Sequence, residues 1–176
     1  MKRTIKSLKQ NELLALINGL QKLNNENRDY IQAFLNKEAS APSLEIYKKR
    51  IRKALEDTMD EDWSFEIEAD KCEKTLKAYF SATDDNLGYA ELLVLTVELA
   101  NQITLDYGDI DEEYYDQVED WYLTAAKQLL SLNKQAIDVK PMVKRLQKVF
   151  ESTDGIGWCY HDTLGDIFYE YLDKIK

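Results

Sequence analysis

The chain has 176 residues, with 44% hydrophobic and 32% charged side chains. That is the composition of a folded globular chain long enough to bury a core, and it argues against disorder. A net charge of −10 argues against general nucleic-acid binding, because phosphate neutralisation supplies most non-specific affinity.

The charge is uneven. Residues 1–57 carry 12 Lys and Arg against 7 Asp and Glu, and residues 58–138 carry 5 against 20. No apolar run reaches membrane-span length, and Leu13–Ile17 is too short for a secretory core, so a cytoplasmic protein is expected. Cys72 and Cys159 are too few for a disulfide framework, and their spacing to the single histidine matches no zinc pattern.

Almost every segment has helical spacing. Leu13, Leu14, Ile17 and Leu20 form a first stripe, broken at Asn24-Asn25, and Tyr30, Ile31, Phe34 and Leu35 form a second. Ala41-Pro42-Ser43 reads as a helix start with Ser43 as N-cap. The helix that follows carries Lys48, Lys49, Arg50, Arg52 and Lys53 around an inner face of Leu44, Tyr47, Ile51 and Leu55. This reads as a solvated face complementing acidic neighbours, with a nucleic-acid patch as the alternative. Phe65, Ala69, Cys72, Leu76 and Tyr79 make the next stripe, with Cys72 as core filler.

From Tyr89 to Tyr107 only a narrow polar strip remains, which predicts a central helix closed by Gly108. Asp109 is expected to cap the following helix, with Glu112 in the reciprocal position. The inner face of that helix is Tyr115, Val118, Trp121, Tyr122, Ala125, Leu129 and Leu132. Pro141 opens another helix, and a last one runs from Leu164 through Ile175. The fold class is therefore all-α: an irregular α-α superhelix or multi-helix bundle of about eight helices in antiparallel pairs, as one domain over residues 1–176. No repeat signature recurs at a fixed period.

Chemistry concentrates at residues 153–162, where Trp158, Cys159, His161 and Asp162 fall within five positions. As architecture, Gly155 closes a helix, Gly157 permits a reversal, Trp158 and Tyr160 cover the core, and Asp162 or Thr163 caps the last helix. As a site, His161 and Asp162 join Asp109 and Asp111 of the acidic turn around a divalent ion, with Tyr115 supporting them. That alternative is a metal-dependent hydrolytic or redox enzyme, and no ligand pair has a diagnostic spacing. Asp109, Asp111 and Glu112 also lack the glycine and distal glutamate of a calcium loop. No nucleophile elbow, phosphate loop or dinucleotide fingerprint is present.

Two segments carry a likeness. Tyr107–Tyr115 (YGDIDEEYY) and Ser152–Asp162 (STDGIGWCYHD), with the aromatic terminal helix, the Lys/Leu-rich opening and the Tyr47–Ile51 helix, resemble DUF6155, a group of small uncharacterised bacterial proteins. The family pattern has glycine where this chain has Cys159, so no role passes to Cys159, whereas Trp158, His161 and Asp162 match. The resemblance implies a bacterial, intracellular, all-helical protein and brings no established activity. Plentiful packing signals without a complete catalytic constellation favour a non-enzymatic module. It is expected to bind a partner protein between the acidic turn and the final helix, at a site drawn from Trp158, His161, Asp162, Asp109, Asp111 and Tyr115, with no cofactor.

Overall fold

The computed structural model describes residues 4–36, 41–56 and 69–175. After a single 3-10 turn (Ile5–Ser7) come eight helices: α1 (Gln10–Leu23), α2 (Asn25–Leu35), α3 (Ala41–Glu56), α4 (Ala69–Thr83), α5 (Asn86–Tyr107), α6 (Glu112–Lys134), α7 (Lys140–Glu151) and α8 (Tyr160–Ile167). No strand occurs among the described residues, and the architecture is an all-α multi-helix bundle. No helix among them is long and apolar enough to cross a membrane.

Each helix packs on the next in sequence, and α2 with α4, α3 with α5, α5 with α7 and α6 with α8 also meet. The centre is α5. It buries Leu92, Leu93, Val94, Val97 and Ala100 around most of its circumference, as its broad apolar pattern requires. Asp85 caps it by accepting from the amides of Leu87 and Gly88, and Gly108, at φ 93°, closes it.

Charged groups seal one side of this core. Arg145 of α7 donates to Glu98 (2.7 and 2.5 Å) and Glu91 (2.7 Å) on α5, and Lys48 of α3 reaches the same Glu91 at 3.2 Å. The fork of the guanidinium matches the carboxylate of Glu98 and fixes the α5–α7 register. Arg50 bonds Asp29 on α2 at 2.5 Å. Two cations of the basic run are therefore spent on acidic neighbours within the fold.

The stripes of α3 to α7 place their residues as expected: Tyr47, Ile51, Cys72, Tyr115, Val118, Tyr122 and Leu129 are buried. Phe65 lies outside the described residues. Ser43 is a correction, since α3 begins at Ala41 and Ser43 is buried within its first turn. The last helix also differs. It passes at Phe168 into a π-helical turn (Phe168–Leu172), whose Phe168 and Leu172 are buried.

Candidate functional site

The acidic turn and the C-terminal run meet. After Gly108 the backbone leaves α5, and α6 is capped by Asp111, whose carboxylate accepts from the Tyr114 amide at 2.9 Å. Asp109, predicted to be that cap, has another task. It accepts the Tyr115 hydroxyl proton at 3.0 Å. The same hydroxyl receives the Ile110 amide at 3.1 Å and lies 2.7 Å from the Thr104 hydroxyl. Asp109 sits two positions too early to reach the orphan amides of α6, and Tyr115, one turn into the helix, holds it instead.

Held in this way, the Asp109 carboxylate lies against Gly157. A Cβ on Gly157 would fall 2.8 Å from its Oδ2. Close approach favours glycine there, since any Cβ would displace the carboxylate, and its φ is not in the left-handed region. The reversal predicted at Gly157 is made by the next two residues: Trp158 (φ 59°) and Cys159 (φ 57°) are both left-handed. Non-glycine residues in that region cost about 1–3 kcal/mol each. α8 then starts at Tyr160 with Cys159 at its N-cap and no side-chain cap, so neither Asp162 nor Thr163 caps it.

Trp158 and Tyr160 have opposite fates. Tyr160 is fully buried, its ring tilted against that of Tyr115 with centroids 4.6 Å apart, and its hydroxyl donates to Asn101 of α5 at 3.3 Å. Asn101 in turn donates to Ser152 at 2.9 Å, tying down both ends of the 152–160 loop. Burial pushes the hydroxyls of Tyr160 and Tyr114 far above the ordinary phenol range, so they stay protonated donors. Trp158, expected to cover the core, is 52% exposed. The left-handed pair carries the indole at the surface.

His161 is committed locally. Its ring stacks on Phe150 at 4.8 Å, and Nδ1 lies 3.0 Å from the hydroxyl of buried Thr153. That hydroxyl gives its one proton to the Phe150 carbonyl at 2.7 Å, which leaves its oxygen to accept from Nδ1. Asp162 is exposed in the first turn of α8. The four candidate ligands thus have separate tasks: Asp109 on Tyr115, Asp111 on the α6 cap, His161 on Thr153 and Asp162 toward solvent. Among the described residues no three His, Cys, Asp or Glu side chains come together to hold a metal ion.

Glu119 of α6 and Thr163 of α8 escaped the sequence reading. Glu119 hydrogen-bonds Thr163, and burial together with the nearby Asp116 and Asp120 charges lifts its carboxyl to about 7, the hydrogen bond opposing the rise. A signal was present: Tyr115, Glu119 and Tyr122 are spaced four and three apart, which places a carboxylate on the buried stripe.

Comparison of the chain with protein-family models, with curated proteins and with solved structures finds no match.

Proposed function

We propose that this protein is a non-enzymatic binding module that takes a partner protein on the surface formed by Trp158 and the acidic turn 109–113. The observation that carries the reading is Trp158 itself, half exposed on two consecutive left-handed residues. Strained backbone of this kind is kept where a side chain must be presented. Indole is the richest anchor of protein interfaces, supplying apolar area with one polar edge. Asp109, Asp111, Glu112, Glu113 and Asp154 are exposed on the two segments that meet through Asp109 and Gly157, acidic groups that select a basic partner surface with an apolar slot for the ring.

The two segments that resemble DUF6155 are the two that meet through Asp109 and Gly157. Cys159, where the family pattern has glycine, is left-handed, a conformation glycine adopts freely.

The test is site-specific photo-crosslinking in extract of the source cell, with a benzophenone side chain at position 158 and a control at exposed Gln102 of α5. The reading expects one protein adduct at 158 that is absent at 102 and is diminished by Glu112→Gln with Glu113→Gln. Equal labelling at both positions, or none at 158, overturns it.

A further inference from the structure

Part of the basic run on α3 faces a cleft. Arg50 and Lys53 on α3, like Lys71 and Lys74 on α4, are three positions apart, the spacing that puts two side chains on one helix face. Both pairs line a single cleft of about 520 Å³, which the start of α2 lines as well. Small-molecule sites have volumes of about 300–1,000 Å³. Four cations thus share the cleft with one carboxylate, Glu26, on a chain whose net charge is −10.

The cations are not equally engaged. Arg50 is held by Asp29 at 2.5 Å and serves as part of the wall. Lys74 meets Asp70 at 3.4 Å, but both side chains are largely exposed, and an exposed pair of this kind yields readily to a stronger anion. Lys53 forms no ion pair among the described residues. By contrast, Lys48 and Arg145 are matched by Glu91 and Glu98 of α5.

The rest of the lining indicates what the charges would hold. Tyr30, Ala54 and Ala78 border the cleft, and the two alanines, one on each basic helix, leave open a space that longer side chains would take. A ring and two methyl groups beside the lysines suit a ligand with an apolar body and an anionic end. Lysine ammoniums are compact point charges that suit phosphate oxygens and lack the planar fork that favours a carboxylate. A long polyanion meets the −10 of the whole chain, whereas a small one meets the local excess of cations.

We infer that this cleft binds a small organic polyphosphate, with its phosphates on the lysines of α3 and α4 and its apolar body against Tyr30, Ala54 and Ala78.

Isothermal titration of the full chain with adenosine triphosphate, and separately with tripolyphosphate, tests this. One nucleotide site per chain is expected, with tripolyphosphate bound at least about tenfold more weakly for want of the apolar body. Lys53→Gln combined with Lys74→Gln weakens nucleotide binding by about tenfold or more, and Ala78→Leu weakens it without touching a charge. Glu26→Gln strengthens it. Lys134→Gln, exposed at the end of α6, is the control that leaves binding unchanged. All five positions are exposed or half-buried, so each variant keeps its folded core, which far-ultraviolet circular dichroism checks. No binding of either probe overturns the inference, as does binding indifferent to the lysine and alanine variants, or tripolyphosphate bound as tightly as the nucleotide. So does a single-stranded oligonucleotide that binds with steep salt dependence where the mononucleotide does not, which would make the face a nucleic-acid contact.

Discussion

Asp109 and Tyr115 are joined by a 3.0 Å hydrogen bond, and through it the loop after α5 is tied to the first turn of α6. The Tyr115 hydroxyl also takes the Ile110 amide and meets Thr104. Tyr115→Phe therefore strands a half-buried amide and loosens Asp109 together. The expected loss is about 1–3 kcal/mol by urea denaturation, the range for unpairing buried polar groups. A loss within error would mean that the loop is held by other contacts.

The Asp109 carboxylate then fixes what position 157 tolerates. Gly157→Ala brings a methyl within 2.8 Å of Oδ2. Overpacking of this kind costs about 1–3 kcal/mol. In an Asp109→Ala background the same substitution should cost clearly less, since the clashing group is gone. A double-mutant cycle measures the difference. Additive effects would show that the two residues are not in contact.

His161→Ala removes the bond to Thr153 and the stack on Phe150. A hydrogen bond and a ring contact together suggest a loss of about 1–3 kcal/mol. Thermal melting should fall accordingly, and divalent ions or chelator should not move it. Unchanged stability would return His161 to the list of groups kept for another purpose.

Glu119 makes stability depend on pH in a definite direction. Its folded pKa of about 7 exceeds the ordinary glutamate value, so the folded state binds more protons than the unfolded state between the two. Its contribution is full below the unfolded pKa and is lost as pH rises through about 7. Melting temperature in wild type should therefore decline over this window more steeply than in Glu119→Gln. Parallel profiles would show that Glu119 does not titrate there.

From α3 to α7 the fold was legible because helical periodicity reports burial, whereas the stripes of α1 and α2 stay largely exposed. Tyr47, Ile51, Cys72, Val118 and Leu129 are inside because their spacing leaves them no other face. Loops obey a different logic. Asp109 looked like a cap because a carboxylate before a helix usually is one, yet the hydroxyl of Tyr115 competes for it, and that contact depends on tertiary placement. Gly157 was rightly singled out, for the wrong reason: the approach of a side chain some 48 positions earlier favours the glycine, while the turn falls on Trp158 and Cys159. The same displacement moved Trp158 from the core to the surface. The four candidate ligands had no diagnostic spacing, and three of them are bonded elsewhere: Asp109 to Tyr115, Asp111 to the Tyr114 amide and His161 to Thr153. Glu119 was missed because the inner stripe of α6 was traced through its apolar and aromatic residues alone.

On this reading Trp158 is presented for recognition and does not hold the fold together. Chemical denaturation of Trp158→Gly, followed by circular dichroism, separates the two roles. Glycine relieves the left-handed conformation and removes the indole, so the account predicts stability equal to wild type or higher by about 1 kcal/mol. A loss above about 1 kcal/mol would contradict it, because the indole would then be contributing packing that its exposure denies.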